Sequence, residues 1–519
     1  MGNLGGIMAG VETTHTLYDK RKAQWTLIRD CLEGEDAIKA KGVTYLPKTK
    51  GMSDLRYEAF KLRAEWVNYT KRTLTGLHGL VFRKKPVINY PKELQDIIDN
   101  CDRRGTNLYK FASNIFKDSL PVSFGGLLVD QPVINEFISR KEAEERKINP
   151  FIKYYAAESV INWKTSVKDG IEYLSLIVLK ETYEDKAEDE FAHNEKIQYR
   201  VLSLYDGIYT QRLFRQGSDG NFKDVQTIPV AVDGKSINYI PFFFLYEQEP
   251  VTPFMLDLAK ANISHYRKSA DYENGVHLTT IPTGYVTGHR QATYQNAKGE
   301  EEGKEVVKLG EDEFLFFEEE GAKVGTLCYA GEGLTHSEHA LETSMSNMAI
   351  LGSRLIVSEK GTSESADSAK IHRAGENASL ADMANCVADA FTQALQTIAK
   401  WKGLDEEVSV EFCTDYDTLA FDANALNAVA NLKEAKSLPL PYVFEILKNG
   451  EYTSSAATFK EYALLLDMED RGYSPSEIAE QYEAIRQGKV VTLKDKKPVD
   501  NSEDKKPSET PENTEISSK

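Results

Sequence analysis

Three stretches of this chain carry a strong helical rhythm of apolar positions, and a polar gap separates the last two. From Thr252 to about Leu278, Met255, Ala259, Ile263, Tyr266 and Ala270 recur every three to four residues and form one stripe. Thr252 is the expected N-cap, with Pro253 at the first helical position. A second stripe, Leu341, Met345, Met348, Leu351 and Leu355, follows Thr335 and Glu338, which have the spacing of a capping box. The third runs through Leu380, Met383, Val387, Phe391, Leu395 and Ile398 to Trp401, in a helix expected from about Ser365. The first half of that helix is nearly all Ser, Ala, Lys, Arg and Asn. Ahead of it lies "SEKGTSES", with almost nothing to bury.

The first helix is expected to place Trp25, Ile28 and Leu32 on one face and to stop at Gly34. A second is expected from about Ser53 to Leu80, with Leu55, Phe60, Trp66 and Leu74 as core candidates. Residues 92 to 250 mix short helices with alternating text such as "GIEYLSLIVLKETYE" and "KIQYRVLSLYDGIYTQRLF", where Asp206-Gly207 reads as a hairpin turn. "ETYEDKAEDEFAHNEK" reads as a solvated acidic loop. A Gly-rich β excursion separates the first two striped helices. After the third, "EEVSVEFCTDY" is one strand with Val408, Val410 and Phe412 on a face. Short helices punctuated by Pro439, Pro441 and Pro475 follow, then a tail from about Gly488 with the composition of disorder.

The 519 residues exceed one compact core and suggest two to four lobes. With 41% hydrophobic residues most of the chain can fold, and a net charge of -18 argues against a static clamp on nucleic acid. Cys31, Cys101, Cys328, Cys386 and Cys413 are scattered without a C-x-x-C pair, as expected for free thiols in a reducing compartment. The longest apolar run, "YIPFFFLY", is far short of a membrane span, and the start lacks the basic and apolar regions of a signal peptide.

Little in the sequence points to catalysis. "PVAVDGKS" ends like a phosphate-binding loop, but Pro229 stands where the first glycine is required, and strands are expected on both sides with no following helix. A hairpin turn is the better reading. His336 and His339 share a spacing that could serve a metal, but no third ligand is evident and a solvated first helical turn explains them. Asp415 and Asp417 read as a strand-end turn. There is no G-x-S-x-G elbow or H-E-x-x-H helix, so no cofactor and no enzymatic activity is expected.

The order of elements resembles that of the portal proteins of tailed bacteriophages. So does the text itself: "RDCLEGEDAIKAKGVTYLPK", "YEAFKLRAEWVNYTKRTLTGLHGLVFRKKP", "FASNIFKDSLPVSFGGLLVDQP", "FIKYYAAESVINW" and "LPLPYVFEILKNGEY". The resemblance covers roughly residues 16–486 and rests on the number and order of packing motifs rather than on chemistry. It implies an α+β, portal-type subunit that assembles into a ring. Residues 1–15 would be a flexible N-terminus, 16–250 the wing, 251–280 the first stem helix and 281–332 the β-rich clip. Residues 333–357 would be the second stem helix, 358–365 the tunnel loop and 366–403 a long helix lining tunnel and wing. A wing strand at 404–419, a helical crown at 420–487 and a disordered tail at 488–519 would complete the chain.

The implied partners are further copies of the chain, about twelve in a ring, together with the terminase large subunit and tail adaptor proteins. Major capsid and scaffold proteins and the double-stranded DNA in the channel complete the set, with no membrane. The implied location is the portal vertex of the virion, after assembly in the host cytoplasm. The alternatives are an adaptor or minor head protein, or a soluble nucleotide-using enzyme.

On this resemblance the site residues are Ser358, Glu359, Lys360, Gly361, Thr362, Ser363, Glu364 and Ser365. Lys360 is outnumbered by Glu359 and Glu364, which limits affinity for phosphates and so drag on a moving duplex. The hydroxyls of Ser358, Thr362, Ser363 and Ser365 would give weak, exchangeable contacts, and Gly361 would let the loop shift.

Overall fold

Trp25 fixes how the first helix sits. Fully buried on α1 (Thr16–Glu33), it stacks on Phe124 at 5.6 Å and donates its indole N–H to the carbonyl of Val122. His15 caps α1 by accepting from the Leu17 amide, and Gly34 ends it at φ 122. The computed structural model describes residues 10–132, 142, 146, 148–185, 189, 191–232, 234–280, 283–288, 293–295, 301–304, 321–327, 331–353, 366–414, 416, 423–435, 437–449, 453 and 458–486. The chain divides into two units, 1–416 and 417–519.

After the short α2 (Glu35–Ala40), the single helix expected over 53–80 is two: α3 (Asp54–Arg63) and α4 (Tyr69–Val81). Ala64 is extended, and alternation then turns both Ala64 and Trp66 into the core. Asn68 restarts the helix by accepting from the Lys71 amide while its own amide bonds the Cys31 carbonyl. The break changes the phase of the pattern. Tyr57 and Phe60 face inward, whereas the expected core residue Leu55 is 84% exposed.

Further on come β1 (Val87–Asn89), α5 (Gln95–Asp99), α6 (Leu108–Ser119), β2 (Gly125–Asp130) and β3 (Phe151–Ala156). Then follow five strands: β4 (Val160–Lys168), β5 (Ile171–Glu184), β6 (Glu195–Tyr205), β7 (Ile208–Gln216) and β8 (Phe222–Pro229). They pair in sequence order as an antiparallel meander. Asp206 and Gly207 form the expected two-residue turn between β6 and β7, both at positive φ, the left-handed pair such a hairpin needs. β9 (Ala231–Val232) and β10 (Lys235–Ser236) make a small hairpin, and β11 (Phe242–Phe244) joins a separate sheet in the order β11-β2-β3. Gly126 on β2 is required there, because a Cβ would lie 2.2 Å from the Phe242 ring.

The long elements are α7 (Leu256–Thr280), α8 (Glu332–Ser353) and α9 (Ala366–Trp401). Between α7 and α8, β12 (Thr283–Thr287) pairs antiparallel with β15 (Lys323–Leu327), and β13 (Thr293–Gln295) with β14 (Glu301–Lys304). The expected β excursion is therefore present. After α9, β16 (Ser409–Glu411) pairs with β1, and Val408, Val410 and Phe412 are buried as their alternation predicts. Phe412 meets Phe82, Phe116 and Phe391, joining the ends of α4 and α6 to the body of α9 in one aromatic cluster.

The second unit holds α10 (Ala423–Glu434), α11 (Leu440–Asn449), α12 (Phe459–Asp470) and α13 (Pro475–Arg486). Each of the three prolines sits before or in the first turn of a helix, where its missing N–H costs nothing. Thr458 and Glu461 form a reciprocal capping box on α12. The result is a mixed helix-and-sheet protein.

Candidate functional site

α7 enters the core through one polar clamp. Asn262 is fully buried, and its carbonyl oxygen accepts from both the amide and the hydroxyl of Thr70, at 3.1 and 3.0 Å. Its NH2 donates to the Val67 carbonyl at 2.8 Å. Around the clamp the expected stripe is buried in full: Met255, Ala259, Ile263, Tyr266 and Ala270. Beyond Ala270 no residue of α7 is buried. At 1.5 Å per residue a helix of this length spans roughly 37 Å, of which only the first part is embedded.

The helix starts one turn later than Thr252 and Pro253 suggest. Phe254 donates its amide to the Ser123 hydroxyl and Met255 to the Pro121 carbonyl, so the chain is tied to the end of α6 before it coils. At the other end, α8 starts at Glu332, which puts Thr335 inside its first turn rather than at a cap. Leu334 packs so closely on Gly275 of α7 that a Cβ there would lie 2.7 Å away. Only a narrow strip of α8 is covered. Ser344 and Met348 are buried and Leu341 is half-buried, while Met345 and Leu351 stay more than 40% exposed. The broader expected stripe fails because α8 packs mainly against α7 and α4. α9 keeps its pattern, with Leu380, Val387, Phe391, Leu395 and Ile398 buried and Met383 half-buried.

The expected channel residues, Ser358 through Ser365, lie outside the described residues, as do Leu355, Asp415 and Asp417. Leu355 and Ser358 through Ser365 fall in the 354–365 link between α8 and α9. His336 and His339 lie in the first turns of α8, and His339 is 3.8 Å from Glu342. Among the described residues no group of three His, Cys, Asp or Glu could hold a metal. Of "DGKS", Asp233 lies outside the described residues; Gly234, at φ 73, precedes Lys235 and Ser236, which pair as strand with Val232 and Ala231, and Lys235 is exposed. No described helix is long and apolar enough to cross a membrane.

The two ends of the acidic stretch are placed contrary to expectation, Glu181–Glu184 in β5 and Glu195–Lys196 in β6. Glu181 belongs to β5 and is 9% exposed, not part of a solvated loop. It accepts from Lys153 at 2.7 Å, Gln198 at 2.8 Å, Arg200 at 2.9 Å and the Tyr155 hydroxyl. Burial alone would raise its pKa, but the Arg200 and Lys153 cations outweigh that and hold it down to about 2. Arg200 continues to Gln211, which donates to Asp130. This polar seam joins β2 and β3 of one sheet to β5, β6 and β7 of the other. With its oxygens occupied and its charge fixed at neutral pH, Glu181 is suited to holding two sheets in register and not to moving protons. A similar node joins Arg29 to Asp118 at 2.8 Å and Glu158 at 2.9 Å, with Tyr154 donating to Asp118.

A family described only as a domain of unknown function, DUF4055, matches residues 254–402, which run from the start of α7 through the end of α9. No curated protein matches the chain. Among solved structures, a chain from the neck of a native GTA particle computed with C12 symmetry is 10% identical, covering 72% of this chain and 86% of its own. The TM-score is 0.29, at which two chains need not share an arrangement.

Proposed function

We propose that this chain is the portal subunit of a tailed-phage head, a non-enzymatic protein that closes into a ring at one capsid vertex. In this reading double-stranded DNA passes through the ring during packaging and ejection. The terminase motor, which would supply the ATPase activity, and then the tail adaptor would dock on it. The observation that carries the reading is the pair α7 and α8, rooted in the core at one end and carrying the β12–β15 ribbon at the other. A 36-residue helix, α9, follows after the polar 354–365 link. That order accords with stem, clip, returning stem, tunnel loop and tunnel helix. The part of α7 past Ala270 has no buried residue of its own, as suits a helix that completes its packing against neighbouring copies.

Negative-stain electron microscopy of the purified chain tests this. Rings with a central hole wide enough for duplex DNA are expected, whereas a compact dimer without a hole would overturn the proposal.

A further inference from the structure

We infer that neighbouring copies of this chain join head to tail through a basic groove on one and an acidic corner on the next. The inference deepens the ring reading above and rests on it. The groove, about 810 Å³, lies between α1, the chain after α2, and α7. Lys22, Lys41, Lys260 and Arg267 line it, with Leu27 and Ile263 adding apolar surface. Four cations in one cleft stand out in a chain of net charge -18.

They are only partly engaged within the chain. Lys41 is 3.4 Å from Asp30, and Lys260 is 3.9 Å from an exposed Asp257. Arg267 gives its Nε hydrogen to the Tyr45 carbonyl, one of five N–H groups it carries. The single acid of the lining, Asp19, accepts from the Thr14 hydroxyl.

The complement is Asp405, Glu406 and Glu407, three consecutive exposed acids between the end of α9 and β16. None of them makes an ion pair among the described residues. The corner is held from both sides: Leu404 donates its amide to the Ala399 carbonyl, and Val408 is fully buried.

Helix α4 shows that the two surfaces sit apart. Its first turn, at Thr70, is bonded to Asn262, the neighbour of Ile263 in the groove. Its last residue is followed by Phe82, which packs on Phe412, at the far end of β16 from the acidic corner. The 13-residue helix sets Thr70 and Phe82, the points nearest the two surfaces, roughly 18 Å apart along its axis. Among the described residues no ion pair joins the groove to the corner within a copy. Between copies they make a heterologous contact, the kind that generates rings. A second copy is favoured over DNA as the occupant because the groove has apolar surface and its complement is present on the same chain.

The test uses two full-length variants and sedimentation velocity. The groove variant is Lys22→Glu with Lys260→Glu; the corner variant is Glu406→Lys with Glu407→Lys. All four sites are on the surface, and circular dichroism checks that each variant folds. Each variant alone should associate roughly tenfold or more weakly than the parent chain. An equimolar mixture should reassemble, since each groove then meets a corner of opposite sign. Raising salt to about 0.5 M should weaken the parent assembly. Rings unaffected by either variant, or variants that mixing does not restore, would overturn the contact and leave the ring reading standing. Loss of duplex-DNA binding in the groove variant with assembly unchanged would assign the groove to DNA and also overturn it. A parent chain that stays monomeric throughout would overturn both.

Discussion

Thr70 and Asn262 are joined twice, through the amide and the hydroxyl of the threonine, to a single side-chain oxygen. That pairing anchors the first turn of α4 to the second turn of α7. Its truncation leaves the buried Thr70 amide and hydroxyl without their acceptor and removes one of two donors to the Val67 carbonyl, which keeps the Tyr69 amide. Asn262→Ala should therefore destabilise the first unit by roughly 2–4 kcal/mol. Denaturant unfolding followed by tryptophan fluorescence measures this. A loss below about 0.5 kcal/mol would mean water replaces the clamp.

Glu181 gives a pH signature. Its folded pKa of about 2 lies below the ordinary value of 4.5, so it stabilises the fold above pH 4.5 and loses that contribution as pH falls towards 2. The amount is on the order of 3 kcal/mol. Glu181→Gln should be less stable at neutral pH, and its stability should fall less steeply between about pH 5 and pH 2 than that of the parent chain. Parallel curves for the two proteins would show that the seam gains nothing from the charge.

Phe60 and Leu55 separate a true core position from an apparent one. Phe60→Ala should cost roughly 3–4 kcal/mol, while Leu55→Ala should change stability by less than about 0.5 kcal/mol. Thermal unfolding of both variants provides the comparison. Equal losses would mean that Leu55 is covered in solution.

The proposed channel makes its own prediction. Replacing Glu359 and Glu364 with Lys should leave ring assembly intact and hinder DNA packaging or retention, because each added cation strengthens phosphate contacts. Unchanged packaging would remove the 358–365 segment from the channel.

Where sequence reading succeeded, the pattern had a single local cause. α9 and the embedded part of α7 each bury one continuous stripe, so period alone identifies their inward faces. Leu55 was misread because a five-residue break at Ala64–Asn68 resets the helical phase, and an apolar residue on the outer face still fits an unbroken pattern. Glu181 was hidden for a different reason. Its neighbours in sequence are acidic, whereas the cations that bury it come from β3 and β6, brought alongside only by strand register. Asn262 gave no signal at all, since an asparagine on an apolar face becomes a clamp only when Thr70 and Val67 face it. The late start of α7 likewise depends on Pro121 and Ser123, far away in the chain.

The half-embedded course of α7 makes it a cantilever. Its embedded turns pack against α1, α3 and α4, while beyond Ala270 the main neighbour among the described residues is α8, with Arg63 at the end of α3 reaching Asn274. A sideways load applied at the β12–β15 ribbon has few contacts over which to dissipate before Ala270, the last buried residue. The bending moment is therefore greatest at that point, and the Asn262 clamp lies two turns further in, where it resists rotation of the whole rod.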